Sequence, residues 1–127
     1  MIVENGGDIF LKTEKTRLVG VHAGKSPYTG KIALQIEPAE TPLGVCTSSG
    51  TVGHSLSFGK ADAAIVLSPS AALADAAATA IGKIVKAETD IPQAIEFARG
   101  VAGLMGVAVI INDKMGVWGK IYLVRRD

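Results

Sequence analysis

The chain has one cysteine, Cys46, in 127 residues. That excludes an internal disulfide and a cysteine-rich zinc module, and makes a cytoplasmic setting the expected one. It lacks an excess of charge of either sign: thirteen Lys and Arg stand against twelve Asp and Glu, which leaves no electrostatic footprint for nucleic acid. It lacks a long hydrophobic run. The stretch from Val101 to Ile111 is too short to span a bilayer, so no membrane partner is expected. The first residues, Met1 to Asp8, have no basic region followed by an apolar one, and therefore no recognisable signal peptide. Disordered composition is also missing, because 48% of the residues are hydrophobic and 20% charged.

What is present is enough apolar sequence for one core-bearing domain, residues 1–127. Gly and Pro concentrate in the first half and last quarter, and Ala in the middle, a shift that marks strands and turns flanking helices. The class is therefore α+β, with an antiparallel or mixed sheet of about seven strands and two main helices. Strands are predicted at 9–12, 17–22, 31–36, 43–47 and 61–67, the last a continuous apolar run of the buried kind. Two more, 107–111 and 117–124, are joined through Asn112–Gly116 as a closing hairpin. Ser70 is placed to cap an Ala-rich helix that Gly82 would end. A second helix starts at Thr89-Asp90-Ile91-Pro92 and runs to about Arg99, with Ile91, Ala94, Ile95 and Ala98 on one face.

Between Thr41 and Phe58 there is no charged side chain, yet hydroxyls and Gly are dense. Such groups bind phosphate, ribose or a ring edge, where neutral donors approach closely; the alternative is a Ser/Gly-rich loop with ordinary turns. Phosphate-loop spacing fails. Gly20 to Gly24-Lys25-Ser26 has three intervening residues where four are needed, and Gly53 to Gly59-Lys60 has five. Gly100, Gly103 and Gly106 do not make a dinucleotide fingerprint, and Gly53-His54-Ser55-Leu56-Ser57 lacks the last Gly of a nucleophile elbow. His54 is a candidate for proton transfer or for donation to phosphate, or else a hydrogen-bonded bystander. Cys46, His22 and Trp118 read as structural.

In the Ala-rich helix Asp75 and Thr79 are four apart, so a carboxylate and a hydroxyl emerge on one face a turn apart. Mg²⁺ suits one or two carboxylates, a neutral oxygen and substrate phosphates. The competing reading is a solvent-exposed face with no ligand.

Three segments in order carry a resemblance: Asn5-Gly6-Gly7-Asp8-Ile9, Thr47-Ser48-Ser49-Gly50, and Ala74-Asp75-Ala76-Ala77-Ala78-Thr79-Ala80. Together they resemble the ApbE-like superfamily, whose best-known members are magnesium-dependent flavin transferases, and in particular its shorter branch, over almost the whole chain. The resemblance implies an ApbE-like or T-fold-like half, with Asp75 and Thr79 as Mg²⁺ ligands. It further implies that Gly6, Gly7, Asp8, Thr47, Ser48, Ser49, Gly50 and His54 lie against FAD or FMN. The implied activity is FMN transfer from FAD, or cleavage of FAD, in which the metal neutralises charge as the diphosphate breaks.

His54-Ser55-Leu56-Ser57-Phe58-Gly59 stands where that superfamily has His-Ile-Ile-Asp-Pro-x-Thr-Gly, so only His54 carries over. The superfamily's Gly- and Lys-containing loop lies upstream of the Gly-Gly-Asp motif. The expectation is thus a C-terminal portion of a longer protein, or a homodimer in which a second chain completes the pocket. The alternative function is a non-catalytic oligomeric relative that kept the fold and lost the chemistry.

Overall fold

The computed structural model describes residues 2–5, 8–21, 26–28, 30–48 and 61–125. Among them nine strands and two α-helices form. The first strands are β1 (Ile2–Asn5), β2 (Asp8–Leu11), β3 (Arg17–Gly20), β4 (Ile32–Ile36), β5 (Leu43–Ser48) and β6 (Ala63–Ser68). The helices α1 (Ala71–Ile84) and α2 (Ile91–Arg99) follow, and then β7 (Gly106–Ile111), β8 (Lys114–Gly119) and β9 (Leu123–Arg125). One sheet has the order β1-β2-β5-β6-β7-β8 and the other β3-β4-β9. Every pairing is antiparallel. The α+β class and the two helices are as the sequence implies.

All six residues of β6 and all six of β7 are buried, because the large sheet is covered on both faces. Alternate residues serve different cores, following the two-residue period of a strand. Ala64, Val66, Val107 and Val109 join the helices in one core, with Ala74, Ala78 and Ile81 of α1 and Ala94 and Ala98 of α2. Ala63, Ile65, Leu67, Ala108 and Ile110 face the small sheet, packing with Leu34 and Ile36. A strand buried on both faces shows no polar alternation, which is why these two read as continuous apolar runs.

Helix α1 begins as expected: the Ser70 hydroxyl oxygen accepts a hydrogen bond from the Leu73 N–H at 3.2 Å. It does not end at Gly82. Gly82 is a buried helical residue, and the helix runs on to Ile84, capped at Val85; two further residues bring Val85, fully buried, into the core. The closing hairpin is also tighter than the sequence suggests. Ile111 pairs with Lys114, so the turn is Asn112-Asp113, with Asn112 at φ 53°, a left-handed conformation that Asn tolerates. Residues 117–124 divide between β8 and β9, in different sheets.

Two glycines set how closely the helices approach the sheet. A Cβ on Gly44 of β5 would stand 2.7 Å from Ala71 Cα and 3.0 Å from its Cβ, and a Cβ on Gly116 of β8 would collide with Ile91 Cγ2. The Gly44 contact is with backbone, which cannot swing aside. Gly44→Ala is therefore expected to destabilise the fold by about 1–3 kcal/mol, the usual cost of overpacking, in urea unfolding. An unchanged midpoint would show that α1 can lift from β5 without loss.

Candidate functional site

At one corner of the large sheet Asp8 and Cys46 are directly paired across β2 and β5. Partners opposite one another project from the same face. Cys46 packs in the helix-side core, so Asp8, Cys46 and, two residues on, Ser48 share the face that α1 covers. The close approach at Gly44 brings Ala71 down onto β5, and the Cys46 thiol donates to the Ala71 carbonyl oxygen at 3.5 Å. Both β5 and α1 run opposite to β6, so they run the same way. Four helical residues advance about 6 Å and two strand residues about 6.7 Å, which sets Asp75 beside Cys46.

The electrostatics of this corner bear the arrangement out. Burial pushes the Cys46 thiol up to about 12, with the Asp8 carboxylate, its hydrogen bond to Cys46 and the Asp75 carboxylate adding to the effect. The Asp8 carboxyl is also raised, first by burial and then by Asp75, against the lowering effect of its hydrogen bond with the thiol. Asp75 thus adds to the field at both Asp8 and Cys46.

Comparison with known proteins identifies the family. A model described as AbpE bacteria matches residues 1–116. The chain belongs to that family. It is similar to the UPF0280 protein of Methanocella arvoryzae, 46% identical over 120 residues that cover 94% of this chain and 49% of that protein. It is 44% identical over 133 residues to the UPF0280 protein MJ1526 of Methanocaldococcus jannaschii, covering 100% of this chain and 54% of that one. With the UPF0280 protein of Methanococcus aeolicus it shares 47% over 132 residues, 100% and 53% of the two lengths. The chain spans about half the length of these relatives.

Membership of the AbpE bacteria family corrects the resemblance to the ApbE-like flavin transferases. The matching family is a distinct one, and neither its description nor the relatives' names carry a flavin-transferase assignment. The segments behind that resemblance have local physical reasons to exist in this fold. Ala74, Ala77 and Ala78 are small because α1 lies close on the sheet, and Thr47-Ser48 ends a strand, where hydroxyls suit the turn chemistry.

Of the residues singled out from sequence, Asp8 and Asp75 lie near one another at this corner, and Ser48 is on the same face of β5 as Cys46. Asp75 and Thr79 are both exposed on α1. Thr47 alternates to the opposite face, in line with Val45 and Leu43, which belong to the other core. Gly6, Gly7, Ser49, Gly50, His54 and His22 lie outside the described residues. Among the described residues no group of three or more His, Cys, Asp or Glu side chains is placed to hold a metal, and no helix is long and apolar enough to cross a membrane. Cys46 is the small buried residue expected, and Trp118 packs against the helix-side core. What the sequence does not reveal is that Cys46 stands between two acids, since residues 8, 46 and 75 share no sequence spacing.

Asp8 has a testable signature. Its folded value lies above the ordinary 3.8, so the folded chain holds that proton more tightly than the unfolded one. Its stabilising share is complete below pH 3.8 and is lost as pH rises through the folded value. Asp8→Asn, which keeps the shape without the charge, is expected to be more stable than the parent at pH 7 and to lose that advantage at pH 3, in urea titrations at both pH values. A greater loss at pH 7 than at pH 3 would show instead that the ionised carboxylate is favourable in the fold.

Proposed function

We propose that this corner is the phosphate end of a flavin- or nucleotide-binding site, in which Asp75 and Thr79 hold Mg²⁺ and FAD or FMN is the ligand. The observation that carries the reading is the placement of Asp8, paired across the sheet with Cys46 on the face that α1 covers, near enough to Asp75 of α1 for that carboxylate to add to the rise that burial causes in the Asp8 carboxyl. Like charges held together are stabilised by a cation. The donor set fits Mg²⁺: carboxylate and hydroxyl oxygens are hard ligands, and Mg²⁺ takes one or two carboxylates and leaves its other positions to water and phosphate. Cys46 is no competing ligand for Mg²⁺, because soft sulfur is a poor partner for a hard cation.

When bound, Mg²⁺ would neutralise charge on the diphosphate of a flavin nucleotide, supporting FAD processing or FMN transfer. The chain's own groups hold the rest in place. Pairing of β2 with β5 holds Asp8 opposite Cys46, and the Ser48 hydroxyl, half-buried at the end of β5, is offered to a phosphate or ribose oxygen. A second copy, or chain of the kind the relatives carry outside the matched half, supplies the remaining contacts. The setting is cytoplasmic, in keeping with a lone buried thiol.

Calorimetry with FAD, FMN and ADP, with and without Mg²⁺, tests the proposal. Saturable binding that needs Mg²⁺ and weakens about tenfold or more in Asp75→Ala, equivalent to about 1.4 kcal/mol, is the expected result. Absence of saturable binding, or binding that ignores Asp75→Ala, overturns it. If that variant also shifts stability by no more than the roughly 0.5 kcal/mol of a surface change, the non-catalytic reading takes its place.

A further inference from the structure

A second place in the molecule sets two cations beside a firm wall, on the far side of the sheet from α1. A cleft of about 950 Å³ opens between one end of the small sheet and the β7–β8 turn, lined by Pro27, Tyr28, Lys31, Ile32, Asp113 and Arg125. That volume is within the usual range for small-molecule sites, roughly 300–1,000 Å³.

The edge strand of the small sheet and the turn before β4 each bring one cation to this cleft. Arg125 pairs directly with Ile32, and Ile32 packs toward the core between the sheets. Arg125 therefore projects from the same inner face, at the end of the sheet where the core stops, and Lys31 immediately precedes β4. Among the described residues neither Lys31 nor Arg125 forms an ion pair. The wall beside them is held in place. The Tyr28 ring packs against the core and its hydroxyl donates to the Asp113 carbonyl oxygen at 3.0 Å. The Asp113 turn is fixed in turn: the Asn112 carbonyl accepts from the buried Ser26 hydroxyl at 2.5 Å, and the Asn112 N–H donates to Asp62 Oδ2 at 2.6 Å.

We propose that this cleft binds a small organic anion carrying a hydrogen-bond donor at the end away from its charge. Lys31 and Arg125 take the anionic group through charge-assisted hydrogen bonds. Tyr28, Pro27 and Ile32 cover the apolar body, and the Asp113 carboxylate accepts from the donor end. An anion without a donor leaves Asp113 unused, and a neutral donor leaves both cations unused, so the lining selects for molecules that carry both. This site is independent of the cation-dependent corner and stands or falls by itself.

The probe is adenosine monophosphate, which has a phosphate, a planar ring and hydroxyl and amino donors. It is titrated into the isotope-labelled chain in EDTA, so that no divalent cation supports binding elsewhere, and followed by nuclear magnetic resonance. Saturable shifts centred on Tyr28, Lys31 and Arg125 are expected. Affinity should fall about tenfold or more in the Lys31→Ala/Arg125→Ala double variant and be unchanged in Asp75→Ala. Inorganic phosphate should bind about tenfold more weakly than the nucleotide, because it reaches neither the wall nor Asp113. Shifts that do not saturate, that persist in the double variant, or that are the same for phosphate overturn the proposal.

Discussion

The approach of α1 to β5 at Gly44 is the contact on which the rest of the candidate site depends. With no Cβ at that position the start of the helix rests directly on the strand, and the Ala71 carbonyl comes within reach of the Cys46 thiol. From there geometry leaves little freedom. Four helical residues nearly match two strand residues in length, so an acid four residues into α1 stands beside the acid that pairs with Cys46 across the neighbouring strand. The corner is a product of packing before it is a product of chemistry.

Much of this was legible in the residues because several elements carry their own signals. Ser70 at a helix start, Pro92 early in the second helix, and the apolar runs that became β6 and β7 each act locally. The misreadings share a physical origin, tertiary contact overriding local propensity. Gly82 looks like a helix end but serves as a close-packed position within one. Gly116 looks like part of a turn, yet it lies in a strand at the place where Ile91 leaves no room for a side chain. The strand β1 at the sheet edge has a short pattern that ends on Asn-Gly-Gly, and nothing in it distinguishes an edge strand from a loop.

The site was legible only in pieces. The four-residue spacing of Asp75 and Thr79 places them on one exposed helix face, and the structure has them there. Period two in β5 separates Thr47 from Ser48, a distinction that a motif read as a unit conceals. The meeting of Asp8 with Asp75 depends on strand order, β2 lying beside β5 although β3 and β4 intervene in sequence, and no local pattern encodes that. Membership of the AbpE bacteria family likewise rests on the whole length matched, 1–116, and short runs of small residues could not have supplied it.

The large and small sheets also differ in when they can form. The strands and helices of the helix-side core lie between β5 and β8 with only neighbouring segments to pair, apart from the late addition of β1 and β2. The small sheet joins β4 to β9, where Leu34 meets Leu123, and the Ser26 hydroxyl reaches a carbonyl 86 residues away. During synthesis from the N-terminus, β4 therefore keeps one edge unpaired until β9 emerges. Contacts so distant in sequence are slow to close, and the exposed interval is when such a chain is most open to association with its neighbours.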